Sequence, residues 1–190
     1  MPYLLLAAVI ALGDQLFKYW YVNSIAPQGT YEVIPGLLQF TYVKNTGASW
    51  GIFAGMRWPL IVVTIVAAVL IIYLLFKVKV NVPGRIGLAC VLGGAIGNGI
   101  DRFRLGYVVD MLDCPQVDWY VFNLADVFIT GGGILFCICY LIKVMREEKD
   151  LKLLKSVQKK DRPEGMPELD RLRDRPAGAD RKEAGVEDKP

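Results

Sequence analysis

Acidic and amide side chains stand within or beside long apolar stretches of this sequence, and they are the residues best suited to chemistry. Pairs of them recur at a spacing of three or four residues, which puts each pair on one helix face: Asp14 with Lys18, Asn98 with Arg102, and Asn123 with Asp126. Asp110 lies 16 residues before Asp126, and the intervening residues leave room for a turn. The carboxylates of Asp110 and Asp126 can therefore meet.

Two carboxylates that share a site of low dielectric constant cannot easily both ionise, so one retains a proton. The ionised carboxylate can take a proton from a water molecule as it attacks a carbonyl group, and the neutral one can donate a hydrogen bond to the developing oxyanion. The proton belongs to the pair rather than to either residue. Asp110 and Asp126 are accordingly candidates for the catalytic pair of an aspartyl hydrolase.

Histidine is absent from all 190 residues. This excludes Ser-His-Asp and Cys-His nucleophilic sites, H-E-x-x-H zinc helices and a proximal histidine ligand for haem. The four cysteines form no C-x-x-C pair and three lie in apolar runs, so neither a disulfide framework nor a metal site is predicted. Two groups of glycines indicate close helix packing rather than a nucleotide loop: Gly93, Gly94 and Gly97, and Gly131, Gly132 and Gly133.

Two other interpretations fit the same polar residues. Membrane carboxylates also line ion and proton pathways, in which Asp14, Asp101, Asp110 and Asp126 would act as relays. Alternatively, the charges are internal ion pairs of a structural scaffold, as Asp14 with Lys18 would be. Conservative changes of Asp to Glu would leave graded flux in the first case, and changes of Asp to Asn would only destabilise the protein in the second.

The elements that must position these residues are apolar helices. Hydrophobic residues make up 54% of the chain, and four stretches approach the length of about 20 residues that crosses a hydrocarbon core: 4–22, 58–76, 86–103 and 119–142. We therefore predict an integral membrane protein, mainly α-helical, with four transmembrane helices. The first stretch lacks the basic start and small-residue exit of a cleaved signal peptide, so we predict that it is retained.

Basic residues in the short connections set the predicted orientation. Lys77, Lys79 and Arg85 lie between the second and third stretches and more basic residues follow the fourth, whereas the 35 residues 23–57 contain only two. Both termini are therefore predicted to be cytoplasmic, and the connections 23–57 and 101–118 to be outside. All the unusual polar groups then lie at one depth, near the outer face.

The outer connection 23–57 and the C-terminal end differ in composition from the apolar stretches. Two β-branched and aromatic runs, 31–34 and 37–43, flank Pro35-Gly36, which predicts a small β-hairpin or sheet on the outer surface. Residues 1–149 are predicted to form the membrane domain. Residues 150–190 are predicted to form a charged, disordered cytoplasmic tail, since 25 of the chain's 41 charged residues lie in 144–190.

Five motifs, in order along the chain, resemble those of one protein family. They are DQLFK at 14–18, NTGASWG at 45–51, GGAIGNGIDR at 93–102, GYVVDML at 106–112 and FNLAD at 122–126. The sequence is similar in these motifs to the lipoprotein signal peptidases, the type II signal peptidases of bacterial membranes. It departs from the family at Met111, where members often have Phe, and in its charged tail.

The resemblance implies a four-helix aspartic endopeptidase of the bacterial cytoplasmic membrane, with a small extracytoplasmic β-cradle and an active site towards the outer leaflet. Its substrates would be diacylglyceryl-modified prolipoproteins, cut just before the lipid-carrying cysteine. Asp110 and Asp126 would be catalytic, and eight further residues would bind substrate or support them: Asp14, Lys18, Asn45, Gly47, Asn98, Arg102, Asn123 and Ala125. The resemblance implies membrane lipid as a partner and no cofactor, metal or nucleic acid, and we expect a monomer.

Overall fold

The structure, a computed structural model, describes residues 1–47, 53–117 and 120–160. These residues form long helices, a three-stranded antiparallel sheet and a short 3-10 helix, Ala26–Gln28. The helices are α1 (Pro2–Ser24), α2 (Arg57–Lys77), α3 (Val82–Arg104) and α4 (Leu124–Lys160), and the strands are β1 (Tyr31–Ile34), β2 (Leu38–Asn45) and β3 (Val108–Asp113).

The helices lie where the apolar stretches predict them, with differences at their ends. α3 begins before residue 86 because Asn81 caps it, the Asn81 side-chain oxygen accepting a hydrogen bond from the Gly84 N–H at 3.1 Å. The predicted start of the fourth helix at residue 119 is wrong, since α4 begins at Leu124. Phe122 and Leu112 exchange backbone hydrogen bonds of 2.7 and 2.9 Å, so the chain is still extended at Phe122.

Helix α4 continues beyond the predicted end at residue 142 and ends at Lys160. Residues 150–160 are therefore helical rather than disordered, and they are rich in Leu and Lys, which favour helix. Met1–Val144 form one compact unit, and the part of α4 from Met145 onward does not belong to it. The rest of the predicted tail, 161–190, lies outside the described residues, as do residues 48–52 of the second motif.

Two of the described helices are long and apolar enough to cross a membrane, namely α2 and α4, the latter over Leu124–Val157. Helices α1 and α3 do not meet the same criterion. They carry the buried polar side chains described below, and these lower their hydropathy. Four membrane crossings therefore stay a prediction.

Close contacts between helix backbones occur at glycines. A Cβ atom at Gly93 of α3 would lie 2.7 Å from the carbonyl oxygen of Ala7 in α1, and one at Gly132 of α4 would lie 2.6 Å from the carbonyl oxygen of Gly87 in α3. The predicted packing role is confirmed at these positions, because no side chain fits at such a separation. The glycines on either side of Gly132 make no such contact.

Strands β1 and β2 form the predicted hairpin, and Gly36 in its turn has a φ of 71°. β2 pairs in turn with β3, a strand that the sequence analysis did not predict. In this pairing Val43 lies opposite Asp110, and Asn45 lies opposite Val108. The end of β2 is thereby brought beside Asp110.

The side chains of β3 alternate between two environments, as the pleat requires. Val109 and Met111 are buried against Tyr21 of α1 in an apolar cluster, whereas Val108 and Asp110 line a cavity on the other side of the strand. Met111 therefore supports the strand from behind and does not line the cavity.

Candidate active site

Asp110 of β3 and Asp126, in the first turn of α4, line the same cavity, which has a volume of about 330 Å³. The structure thus brings together the two carboxylates that the sequence singled out. Asp110 is almost fully buried, whereas Asp126 is half-buried. The remainder of the site is the set of polar groups that holds these two side chains.

Two asparagines donate hydrogen bonds to Asp110. Asn45 Nδ2 lies 2.9 Å from Asp110 Oδ2, and Asn123 Nδ2 lies 2.6 Å from Asp110 Oδ1. Burial, the largest cause, and the negative charge of Asp126 together raise the pKa of Asp110 from 3.8 to about 6, against the opposing effects of the two amide hydrogen bonds and the charge of Lys18. Asp110 can therefore change protonation state near neutral pH.

Asp126 and Asn123 cap the N-terminus of α4 reciprocally. The Asn123 side-chain oxygen accepts a hydrogen bond from the Asp126 N–H at 3.0 Å, and Asp126 Oδ2 accepts one from the Asn123 N–H at 3.1 Å. This is the geometry of a capping box, which requires the three-residue spacing seen in FNLAD. The other oxygen, Asp126 Oδ1, accepts a hydrogen bond from Asn98 Nδ2 at 2.8 Å.

A buried ion cluster lies behind the asparagines. Lys18 Nζ lies 2.9 Å from Asp14 Oδ2 and 2.9 Å from Asp101 Oδ2, and it donates a hydrogen bond to Asn98 Oδ1 at 3.0 Å. Asp14 Oδ1 in turn accepts a hydrogen bond from the N–H of Ala125 at 3.0 Å. The cluster therefore links α1 and α3 to the first turn of α4, next to Asp126.

Arg102 and Gly47 close the site on the side of β2. Arg102 Nη2 donates a hydrogen bond to the carbonyl oxygen of Gly47 at 2.9 Å, and the Gly47 N–H donates one to Asn45 Oδ1 at 3.0 Å. Because its oxygen is occupied in this way, Asn45 presents its NH₂ group to Asp110. The Arg102 guanidinium lines the cavity and supplies positive charge close to both carboxylates.

Comparison with known proteins identifies the family at this point. The model of the family described as signal peptidase (SPase) II matches residues 6–142. The chain belongs to the signal peptidase II family. It is therefore a peptidase, and the matched residues contain every site residue named above.

Relatives and solved structures agree with this membership. The chain is 40% identical over 141 residues to a lipoprotein signal peptidase of Clostridioides difficile, covering 74% of this chain and 95% of that protein. It is 43% identical over 149 residues to the lipoprotein signal peptidase of Lactobacillus johnsonii, and this match covers 78% of this chain and 95% of that protein. Two solved bacterial membrane enzymes share its fold, with TM-scores of 0.70 and 0.67 and identities of 32% and 33%. The matched regions include 75% and 74% of this chain, and 89% and 92% of the two solved chains respectively.

Apolar side chains from three helices form the rest of the cavity wall in this family member: Val63, Ala67 and Ile71 of α2, Val91 and Ala95 of α3, and Ile129 of α4. A second cavity of about 320 Å³ adjoins the first and shares Tyr120, Asp126 and Thr130 with it. Asp126 thus lines both cavities. Among the described residues, no group of three His, Cys, Asp or Glu side chains is arranged to hold a metal ion.

Two residues of the buried cluster behind the candidate site were assigned no supporting role from the sequence. Gln15 was not singled out, yet its Nε2 donates hydrogen bonds to Asp101 Oδ1 at 2.8 Å and to the Gly97 carbonyl at 3.1 Å. Asp101, which the ion-pathway interpretation names as a relay, is buried and also accepts a hydrogen bond from the Val109 N–H at 3.2 Å. The spacing of Gln15 from Lys18 and of Asp101 from Asn98 is three residues, the same signal that marked the other pairs.

Proposed function

We propose that this protein is an aspartic endopeptidase that removes the signal peptide from diacylglyceryl-modified prolipoproteins, cutting just before the lipidated cysteine. The observation that carries the proposal is the shared cavity of Asp110 and Asp126, each held by amide donors, in a member of the signal peptidase II family. The substrate class is supported by relatives that are lipoprotein signal peptidases and about 40% identical.

In the proposed reaction the two carboxylates share one proton. The ionised carboxylate takes a proton from the attacking water, and the neutral one donates a hydrogen bond to the oxygen of the scissile carbonyl as negative charge develops there. The tetrahedral intermediate collapses when the leaving amine of the lipidated cysteine receives a proton from the pair. Arg102 balances the remaining negative charge of the dyad within the cavity.

Eight further residues support this chemistry in the proposal. Asn45, Asn98 and Asn123 orient the carboxylates by hydrogen bonds of 2.6 to 2.9 Å. The remaining five keep the elements in register: Asp14 and Lys18 through the buried cluster, Ala125 through its N–H, and Gly47 with Arg102 at the end of β2.

The cavities suit a substrate with two apolar parts. A prolipoprotein carries an apolar signal segment on one side of the scissile bond and a diacylglyceryl group on the other. Two cavities of about 330 and 320 Å³ meet at Asp126, so each apolar part has a neighbouring apolar surface while the carbonyl faces the dyad. The apolar walls of the cavities lower the local dielectric constant, which strengthens the electrostatic interactions of the carboxylates.

We further propose that the protein crosses the bacterial cytoplasmic membrane four times, with both termini cytoplasmic and the dyad towards the outer leaflet. The apolar length of α2 and α4 and the basic residues of the 78–85 connection support this topology. The substrate's lipid holds it in the outer leaflet, so it reaches the dyad by lateral diffusion. Both carboxylates come from one chain, so a monomer suffices for the reaction.

The test is cleavage of a diacylglyceryl precursor by purified protein in detergent, with the native chain compared to Asp110→Asn and Asp126→Asn. We expect both variants to fold and to leave the precursor uncut. Asp113→Asn is the matched control, because Asp113 also lies on β3 but bonds Gln39 and Thr41 outside the cavity. Robust cleavage by either dyad variant would contradict the assignment, and graded ion flux into liposomes would favour a pathway instead.

A further inference from the structure

Lys18 makes no direct contact with the proposed dyad, yet it is bonded to a residue that does. Its ammonium group donates a hydrogen bond to Asn98 Oδ1 at 3.0 Å, and Asn98 Nδ2 donates one to Asp126 Oδ1 at 2.8 Å. Lys18 is 3% exposed and Asn98 is 6% exposed, so water does not replace these bonds. One buried amide therefore separates the ammonium group from the carboxylate.

The chemistry of the ammonium group fixes which way this amide points. An amide side chain can present either its oxygen or its NH₂ group to a neighbour, whereas an ammonium group has three donors and no acceptor. The atom of Asn98 that faces Lys18 must therefore be the oxygen, and the NH₂ group must face Asp126. Asn123 Nδ2 is a second donor to the same oxygen, at 3.0 Å.

We propose that Lys18 is a positioning residue for the reaction, which holds the Asn98 amide with its NH₂ group against Asp126 and polarises it as a donor. The inference rests on the proposed function, since it requires Asp126 to be a catalytic carboxylate. Because Asn123 also holds Asn98, loss of Lys18 weakens this bond without removing it, so the effect is graded.

The charge of Lys18 alone does not account for its position. Asp14 and Asp101 each lie 2.9 Å from its ammonium group, so the three side chains together carry a net charge of −1. The charged groups that line the cavity with Asp126 are Arg102 of α3 and Asp110 of β3, and Tyr120 lines it too. The hydrogen bond to Asn98, rather than a net positive charge, is what Lys18 offers the dyad.

The experiment compares Lys18→Met with Lys18→Gln in the precursor-cleavage assay across pH. Both replacements are neutral, but only Gln can donate a hydrogen bond to Asn98 Oδ1. For Lys18→Met we expect kcat to fall about tenfold and KM to stay within about twofold of the native value. We also expect the acid limb of the kcat–pH profile, which reports the carboxylate pair, to move up by about half to one pH unit. Lys18→Gln should keep the native acid limb.

A second pair of variants guards against misfolding caused by unpaired buried carboxylates. The two double variants combine Asp14→Asn with either Lys18→Met or Lys18→Gln, and both keep the net charge of the cluster at −1. The Asp14→Asn side chain can still accept a hydrogen bond from the Ala125 N–H. The Met and Gln members of this pair should differ as the single variants do. Gln39→Ala is the control for general loosening, because Gln39 bonds Asp113 outside the cavity and not Asn98; it should lower the unfolding temperature and leave the acid limb in place.

The outcomes separate the two proposals. A shift with Met that Gln reverses, in either pair, supports the positioning role. If Lys18→Met and Lys18→Gln have the same acid limb of kcat, whether shifted or native, the positioning role is overturned. If none of the four variants folds, the cluster serves folding alone. Cleavage by Asp126→Asn would instead overturn the proposed function, independently of any result at Lys18.

Discussion

Gly97 of α3 lies directly against the carboxylate of Asp14 on α1, so that a Cβ atom at Gly97 would be 2.6 Å from Asp14 Oδ2. That oxygen also pairs with Lys18 at 2.9 Å, while the other oxygen accepts the N–H of Ala125. The absence of a side chain at Gly97 therefore allows α1 to approach α3 closely enough to build the ion cluster beside Asp126.

We expect Gly97→Ala to lower the free energy of unfolding by about 1–3 kcal/mol, because the added methyl group must displace a buried carboxylate that has no free space. Thermal unfolding of the purified protein in detergent measures the change. Gly13→Ala is the matched control, since a Cβ atom there meets nothing within 4 Å. Equal stability of the two variants would contradict the proposed close contact.

The pH dependence of stability should change when Asp110 is replaced. Burial raises the pKa of Asp110 from 3.8 to about 6, so the folded protein binds this proton more tightly than the unfolded chain does. The contribution of the protonated Asp110 carboxyl group to the free energy of unfolding is complete below pH 3.8, and it is lost as the pH rises through about 6. Relative to Asp110→Asn, the native protein should lose about 2 kcal/mol between pH 4 and pH 7.

Chemical unfolding in detergent at several pH values, applied to both proteins, checks this difference. Asp113→Asn serves as the control and should retain the native slope, because Asp113 lies outside the cavity on the same strand. Parallel curves for the native protein and Asp110→Asn would show that burial does not perturb this carboxyl group.

Asn45→Ala removes the donor to Asp110 Oδ2. We expect kcat to fall about tenfold to a hundredfold with little change in KM, since a hydrogen bond to a charged group is worth about 1.5–3 kcal/mol. Precursor cleavage under saturating substrate measures the loss. Gln39→Ala removes the equivalent bond between β2 and Asp113 at the other end of the strand pair, and it should leave kcat close to native.

Truncation after Lys149 should leave precursor cleavage largely intact, although it removes part of α4 and everything beyond it. The reason is that the match to the family ends at residue 142 and all the site residues precede it. The same assay on a chain cut after Lys160 serves as the comparison. A loss of activity in the shorter protein alone would assign a function to the helical segment 150–160.

The sequence by itself singled out most of the polar residues that the structure gathers at the candidate site. Polar side chains in apolar stretches are costly, so Asp14, Lys18, Asn98 and Asp126 stood out without any coordinates. The spacing of Asn123 and Asp126 has a local cause in the capping box, because a helix start is specified by neighbouring residues.

Only the tertiary structure decided how these residues meet. The third strand was missed because Asp110 and Asp113 interrupt the apolar residues of Val108–Asp113, and this segment becomes a strand by pairing with β2, more than 60 residues earlier. Likewise, the partners of Asp101 lie 83 and 86 residues away on α1, at Lys18 and Gln15. Contacts between distant segments depend on helix packing and sheet register, which local sequence patterns do not encode.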